Sequence, residues 1–410
     1  MAKQIKFLLL LIVVLNNSIA QTIDSTKIKT HIYYLASDKL NGRAPGTKGE
    51  KLAQKYIISE FKKYGLQPKG EKGYLQPFTY HLPKNPHDTI IDLNKEYNGS
   101  NIIGYIDNGA PYTIVIGAHY DHLGDDGRGN SRDPNPKGKI HHGADDNASG
   151  VAGVLELARY FSSNNIKEKY NFLFMCFSAE EAGLIGSKYF TNHPTISLDK
   201  INCMINMDMI GRLNDSTHKV IIYGTGTSNV WEPMLKNTKS DLILKFDSAG
   251  VGPSDQTSFY LKDIPVLFFF TGQHSDYHKP SDVASKINYP GEQDVLGLVA
   301  QVIDSINNYP KMNFQKTANK ESKSNSFKVT LGIMPDYSYD KPGLRVDGVS
   351  DNKPAQKAGL KADDVIIQLG DYPVKDIYGY MDALNKFKKG DTTKVIITRG
   401  GEKKEFSVTF

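Results

Sequence analysis

Five side chains able to bind a metal ion, His119, Asp146, Glu181, Asp208 and His278, each stand where an apolar run gives way to polar residues. Two imidazoles and three carboxylates form a mixed nitrogen and oxygen set suited to zinc. With one carboxylate shared, each of two ions receives three protein ligands and keeps a position open to water. The acidic pair Glu180-Glu181 adds to this. Neighbouring carboxylates repel beside an apolar strand unless cations neutralise them. Their side chains diverge, so one can bind metal while the other faces substrate as a general base. Asp145-Asp146-Asn147 exceeds what the following helix needs as a cap. Asp121, two residues after His119, can reach the imidazole nitrogen that faces away from metal and fix its tautomer. Each motif alone has a plainer explanation, as a surface pair, a helix cap or a structural acid. Their joint occurrence points to metal-assisted hydrolysis.

Ligands so far apart in sequence converge at the carboxyl ends of parallel strands. The apolar pattern predicts strands at 101–106, 113–118, 171–177, 201–207, 219–223 and 265–270, and helices at 149–162, 186–192, 228–240 and 292–308. Residues 24–64 read as two amphipathic helices broken at Asn41-Gly42-Arg43-Ala44-Pro45-Gly46, followed by an irregular proline-rich stretch. This alternation predicts an α/β domain with a mostly parallel or mixed central sheet flanked by helices. Segment 124–142, glycine-rich and carrying Pro134 and Pro136, is an inserted loop near the expected crevice.

At 410 residues the chain is too long for one typical domain. Residues 1–20 carry Lys3 and Lys6, an apolar stretch from Phe7 to Leu15 and then Ser18-Ile19-Ala20, the pattern of a cleaved secretory signal. The apolar stretch is far short of the roughly 20 residues that span a bilayer. Gln21 stands where a lipoprotein needs cysteine. The expectation is an exported protein, periplasmic or extracellular, with no membrane attachment after cleavage. Cys176 and Cys203 lie inside apolar runs, as buried free thiols do. A formal charge of +5 without any basic block argues against nucleic acid as a partner. The expected divisions are a signal at 1–20, a catalytic domain at 21–310, a linker at 311–326 and a small β-rich module at 327–410 that closes on a hairpin.

The strings Gly117-Ala118-His119-Tyr120-Asp121-His122-Leu123-Gly124, Gly143-Ala144-Asp145-Asp146-Asn147-Ala148-Ser149-Gly150, Phe177-Ser178-Ala179-Glu180-Glu181-Ala182-Gly183, Asn206-Met207-Asp208-Met209-Ile210-Gly211 and Asp276-Tyr277-His278 together resemble the M28 family of zinc aminopeptidases over about residues 25–310. The resemblance implies a zinc-exopeptidase fold, two zinc ions per chain and peptide substrates. It implies Asp146 as the ligand shared by both ions, His119 and Asp208 on one, and Glu181 and His278 on the other. Glu180 is then the general base toward water held between the ions, and Tyr277 a donor to the scissile carbonyl oxygen. Gly252-Pro253-Ser254-Asp255 matches a further family element near the pocket, without an assigned role. The stretch 81–100 is too short for the protease-associated domain that some members insert.

Thr330-Leu331-Gly332-Ile333 and Pro354-Ala355-Gln356-Lys357-Ala358-Gly359-Leu360 resemble a PDZ domain. That resemblance implies that Leu331, Gly332 and Ile333 hold a peptide carboxyl terminus while the peptide adds a strand beside them. The sequence departs from the pattern at Asp363, where the family usually turns through glycine. Rival readings are a glutaminyl-peptide cyclotransferase, which uses the same scaffold with one zinc, a noncatalytic protein that captures carboxyl termini through the PDZ module, and a carboxypeptidase for acidic dipeptides. The complete ligand set disfavours the first, the intact Glu180 the second, and the lack of a basic cluster the third.

Overall fold

The computed structural model describes residues 22–83, 91–125, 130–164, 166–317, 329–335, 339, 341–349 and 353–410. The expected signal at 1–20, residues 126–129 of the insertion and the linker residues 318–326 lie outside the described residues.

The first domain is built on a nine-stranded mixed sheet. Its strands are β1 (Gln67–Pro68), β2 (Leu75–Pro83), β3 (Ile91–Ile106), β4 (Thr113–His119), β5 (Asn171–Phe177), β6 (Ile201–Met207), β7 (Lys219–Tyr223), β8 (Ile243–Asp247) and β9 (Val266–Phe270). They run in the order β1-β3-β5-β4-β6-β9-β7-β8, with β2 paired to β3. The central strands β5, β4, β6 and β9 are mutually parallel, whereas β3 joins β5 and β7 joins β9 antiparallel. Every residue of β4, β5, β6 and β9 is buried, as a sheet covered on both faces requires.

The cover comes from α1 (Ser25–Leu35), α2 (Lys48–Lys63), α3 (Gly150–Ser163), α4 (Ile185–Asn192), α5 (Trp231–Lys236), α6 (Gln256–Tyr260) and α7 (Tyr289–Ile306). Their starts are chemically marked. Asp24, Thr47 and Asn288 each accept a backbone N–H from the first turn of α1, α2 and α7. Helix α5 is shorter than the pattern predicts, ending at Lys236 before the chain turns toward β8.

In this sheet β1, β2 and β8 lie outside the strands that the sequence pattern predicts, and β3 is longer than predicted. In β2 the prolines at 77 and 83 obscure a true alternation, in which Phe78, Tyr80 and Leu82 share one face. The prolines are tolerated because β2 pairs on one side only, with β3. The resulting hairpin extends β3 back from the predicted start at 101 to Ile91. At the other end of the domain, Met312 N–H donates to Asn202 Oδ1 at 2.7 Å and Gln315 N–H to the Thr227 carbonyl at 2.8 Å. Phe314 packs on Tyr260, so the chain stays bound to the domain as far as Thr317.

The second sheet has six strands, β10 (Ile333–Pro335), β11 (Leu344–Val349), β12 (Val365–Leu369), β13 (Tyr372–Pro373), β14 (Thr392–Arg399) and β15 (Glu402–Thr409), with helices α8 (Pro354–Ala358) and α9 (Ile377–Leu384). It has its own buried core around Leu331, Val346, Ile366, Leu369, Val395 and Ile397. The β14–β15 hairpin turns through Gly400 and Gly401, both at positive φ. Asp363 takes φ 68°, the left-handed conformation that glycine would supply, and aspartate is among the residues that tolerate it.

Both cysteines are buried and free. Among the described residues no helix is long and apolar enough to cross a membrane.

Candidate metal centre

The parallel strands deliver their last residues to one crevice. His119 closes β4, and Asp208 follows β6 directly, on the neighbouring strand. His119 Nε2 lies 3.4 Å from Asp208 Oδ1 and 3.3 Å from Asp146 Oδ1. Asp146 comes from the turn at Ala144–Ser149 that leads into α3. The turn is fixed by its own sequence. Asn147 donates to the Met207 carbonyl at 3.0 Å and accepts from Gly150 N–H at 2.8 Å. Asp145 Oδ1 accepts Gly211 N–H at 2.7 Å, and Ser149 Oγ donates to the Asp145 carbonyl. The two acids of this motif therefore differ: Asp145 ties the turn to the segment that follows β6, and Asp146 faces the crevice. Behind them the buried Asp282 carboxylate accepts the backbone N–H groups of both Asp145 and Asp146.

The opposite wall is made of turns. Glu180 and Glu181 follow β5 through Ala179 at φ 58°. Glu180 N–H donates to Asp121 Oδ1 at 3.0 Å. Asp121 meets the His119 ring with its carbonyl, 3.3 Å from Nδ1, while its carboxylate stands 3.8 Å from the same nitrogen. His278 Nε2 is 3.2 Å from Asp146 Oδ2 and 3.1 Å from Glu181 Oε2. The other nitrogen of His278 faces the Asn130 carbonyl at 3.0 Å, and Arg132 N–H donates to the His278 carbonyl at 2.9 Å. Asn130 Nδ2 also reaches the Glu181 carbonyl at 3.2 Å. The inserted loop thus holds this half of the crevice. Tyr277 stacks on the His278 ring at 3.9 Å, and the Arg132 guanidinium lies over the Tyr277 ring at 4.7 Å from its centroid.

Two residues outside the expected set join the site. His122 Nδ1 lies 2.9 Å from Glu181 Oε1 and 3.9 Å from Asp146 Oδ2. Arg43 is 1% exposed and donates to the carbonyls of Leu35, Tyr120, His142 and Gly143 at 2.6 to 3.0 Å. It links the end of β4 to the loop that brings in Asp146. His122 was visible inside the quoted His119 string; Arg43 carried no signal, because its acceptors come from distant segments.

The charges are unequal. Burial opposes ionisation of Asp146, yet hydrogen bonds from His119 and His278 hold its carboxyl well below the usual range. Burial likewise opposes ionisation of Glu181, but His278 and His122 keep it at about 2. Burial disfavours the charged His278 ring, and the Glu181 and Asp146 carboxylates raise it to about 10. Glu180 goes the other way: burial, then repulsion from Asp255, Glu181 and Asp208, pushes it well above an ordinary glutamate despite His119. The Asp255 carboxylate is fully buried, with neither oxygen hydrogen-bonded among the described residues, and burial pushes it up to about 6.

The geometry fits cations. His119, Asp146 and Asp208 each bring one ligand atom to within 4.8 Å of the others, and so do His122, Asp146 and Glu181. Beyond the facing His278 and His119 rings, buried Asp146 Oδ2 and Asp208 Oδ1 have no hydrogen-bond partner among the described residues. Buried oxygens in that condition are costly unless a cation meets them.

In the second domain, Leu331 is fully buried and Gly332 takes φ 76°. A Cβ there would lie 2.2 Å from the Lys353 Cβ, so only glycine fits. Gly332 N–H donates to Thr330 Oγ1 at 3.0 Å. Ile333 opens β10, which among the described residues pairs with β11 alone.

Residues 101–303 match the model of Peptidase family M28, and residues 320–410 match a PDZ domain. The chain is 29% identical to leupeptin-inactivating enzyme 1 of Streptomyces exfoliatus over 266 residues, 63% of this chain and 51% of that protein. It is 26% identical to aminopeptidase YwaD of Bacillus subtilis over 321 residues, 74% of this chain and 62% of that one. The chain therefore spans about half to three-fifths of these curated relatives. Among solved structures, an aminopeptidase from Aneurinibacillus sp. strain AM-1 superposes with a TM-score of 0.54 at 19% identity, covering 73% of this chain and 96% of that one. A Zn-dependent exopeptidase from Parabacteroides distasonis gives 0.54 at 17%, covering 70% and 99%. These likenesses establish the fold.

Proposed function

We propose that this chain, whose residues 101–303 belong to peptidase family M28, is an exported aminopeptidase that uses two zinc ions to release amino-terminal residues from peptides. The observation that carries the reading is Asp146. Its two oxygens face different imidazoles, Oδ1 toward His119 at 3.3 Å and Oδ2 toward His278 at 3.2 Å. Asp146 would be shared by both ions, with His119 and Asp208 completing one position and Glu181 and His278 the other. His278 suits this role because its Nδ1 is engaged by the Asn130 carbonyl, which leaves the Nε2 lone pair toward the carboxylates. His122 then serves as the hydrogen-bond donor that orients Glu181.

Zinc at these positions supplies a Lewis acid for the scissile carbonyl and acidifies water near neutral pH. Glu180, unused as a ligand and raised by burial, accepts a proton from the attacking water and passes it to the nitrogen of the leaving amine as the C–N bond breaks. Burial, then the Asp146 and Glu181 carboxylates, keeps the Tyr277 phenol protonated. It can therefore donate to the carbonyl oxygen as negative charge develops.

Export is supported by the charged, apolar and small-residue order of residues 1–20. The PDZ module is a site for peptide carboxyl termini, supported by the glycine-only position at 332 and by the pairing of β10 with β11 alone among the described residues. The test is removal of metal by a chelator and restoration with zinc, read by hydrolysis of leucine p-nitroanilide. Activity should vanish and return. Zinc-loaded protein without hydrolysis would contradict the reading.

A further inference from the structure

Two cavities meet at the metal centre, and they differ in kind. The first, about 80 Å³, is the crevice itself, and it ends on the buried side chains of Met209, Phe268 and Phe270. A peptide entering there can place one side chain and go no further. The second, about 300 Å³, shares Glu181 with the crevice and extends away from it. Among the described residues its walls include Pro45, Tyr80, Leu82, Leu123, Ala182 and Asn130. Nothing in the catalytic account uses this space.

Much of its wall comes from the β2–β3 hairpin, the loop before α2 and the segment 124–142. Tyr80 and Leu82 lie on one face of β2, so the β2–β3 hairpin presents both to the same side. Pro45 is set by the loop that Arg43 anchors through four backbone carbonyls. Asn130 belongs to the insertion that also holds His278. The carboxylates of Asp121 and Glu181 complete the wall nearest the metals.

An exopeptidase that removes one residue needs a closed pocket before the scissile bond and open space after it. Given the aminopeptidase reading, on which this rests, we infer that the 300 Å³ cavity receives the residue following the scissile bond and selects an apolar side chain there. Apolar walls favour leucine or phenylalanine, because burying such a side chain is favourable. An acidic side chain would lose its hydration against the same apolar walls, which disfavours it. The hairpin is thus a wall of the substrate site as well as an edge of the sheet.

The test compares kcat/KM of the zinc-loaded full chain on Leu-Phe-amide, Leu-Gly-amide and Leu-Asp-amide. Leu-Phe-amide should exceed Leu-Gly-amide by about tenfold, the scale of one side chain in an apolar pocket, with Leu-Asp-amide lowest. Leu82→Asp should bring the Leu-Phe to Leu-Gly ratio close to one, while the preference for the first residue, read with Ala-Phe-amide against Leu-Phe-amide, stays as in the wild type. A flat second-position profile in an active wild-type enzyme overturns the inference, even if Leu82→Asp fails to fold. A variant that changes first-residue preference instead overturns the side assigned to the cavity. A wild-type enzyme that cleaves no peptide overturns the aminopeptidase reading itself, and this inference with it.

Discussion

The two halves of the metal crevice are built by different means. His119 and Asp208 stand at the ends of adjacent parallel strands whose every residue is buried. Glu181 and His278 sit in turns, and their geometry depends on contacts with Asn130, Arg132 and His122. In the first half the fold itself places the proposed ligands, so they cannot move without opening the core. In the second, ligand placement and the surrounding loops can vary without disturbing the sheet. That arrangement lets one scaffold keep its chemistry while its rim diverges.

The contrast can be broken by substitution. Asp208→Ala in the strand half should weaken zinc at one position by more than about 100-fold, since even outer partners of metal ligands are worth about 10- to 100-fold. Calorimetric zinc titration would read it, and unchanged affinity at both positions would remove Asp208 from the ligand set. His122→Ala in the turn half should cost about 10- to 100-fold at the Glu181 position while leaving the other near its original affinity. Equal weakening at both positions would mean that the halves are not separable.

A smaller effect sharpens the comparison from outside it. Asp304, on α7 and away from the crevice, is raised to about 6 by burial and by Glu168. Its folded pKa lies above its unfolded value, so protonation stabilises the fold at low pH and that contribution is lost as pH rises through 6. Asp304→Asn should therefore be more stable than the wild type at pH 7 by about 1 kcal/mol after solvent screening. The gain should fade toward pH 4, with zinc binding unaltered. Denaturant unfolding across that range checks the sign.

The same contrast governs what the sequence could disclose. Strands β5, β6 and β7 lie where apolar runs predict them, and His119 and Asp208 stand out because each ends such a run. Periodicity is a local signal, and these proposed ligands are placed by local structure. Asn130 and Arg132 act on His278 from nearly 150 positions away, through main-chain groups that no residue type reveals. Arg43 reads as part of a turn, whereas its guanidinium gathers carbonyls up to 100 residues distant. The β2 strand is hidden by prolines that an edge position tolerates. Family resemblance supplied the parts of the site that periodicity could not, notably the pairing of Glu181 with His278.

The central claim is that Glu180 moves the proton while its neighbour and four other residues hold zinc. Glu180→Gln, measured for bound zinc and for turnover of leucine p-nitroanilide in the same preparation, tests it most directly. Two zinc ions per chain with kcat lowered by about 100-fold or more would agree with a general base beside an intact metal centre. Retained turnover, or loss of zinc together with activity, would contradict it.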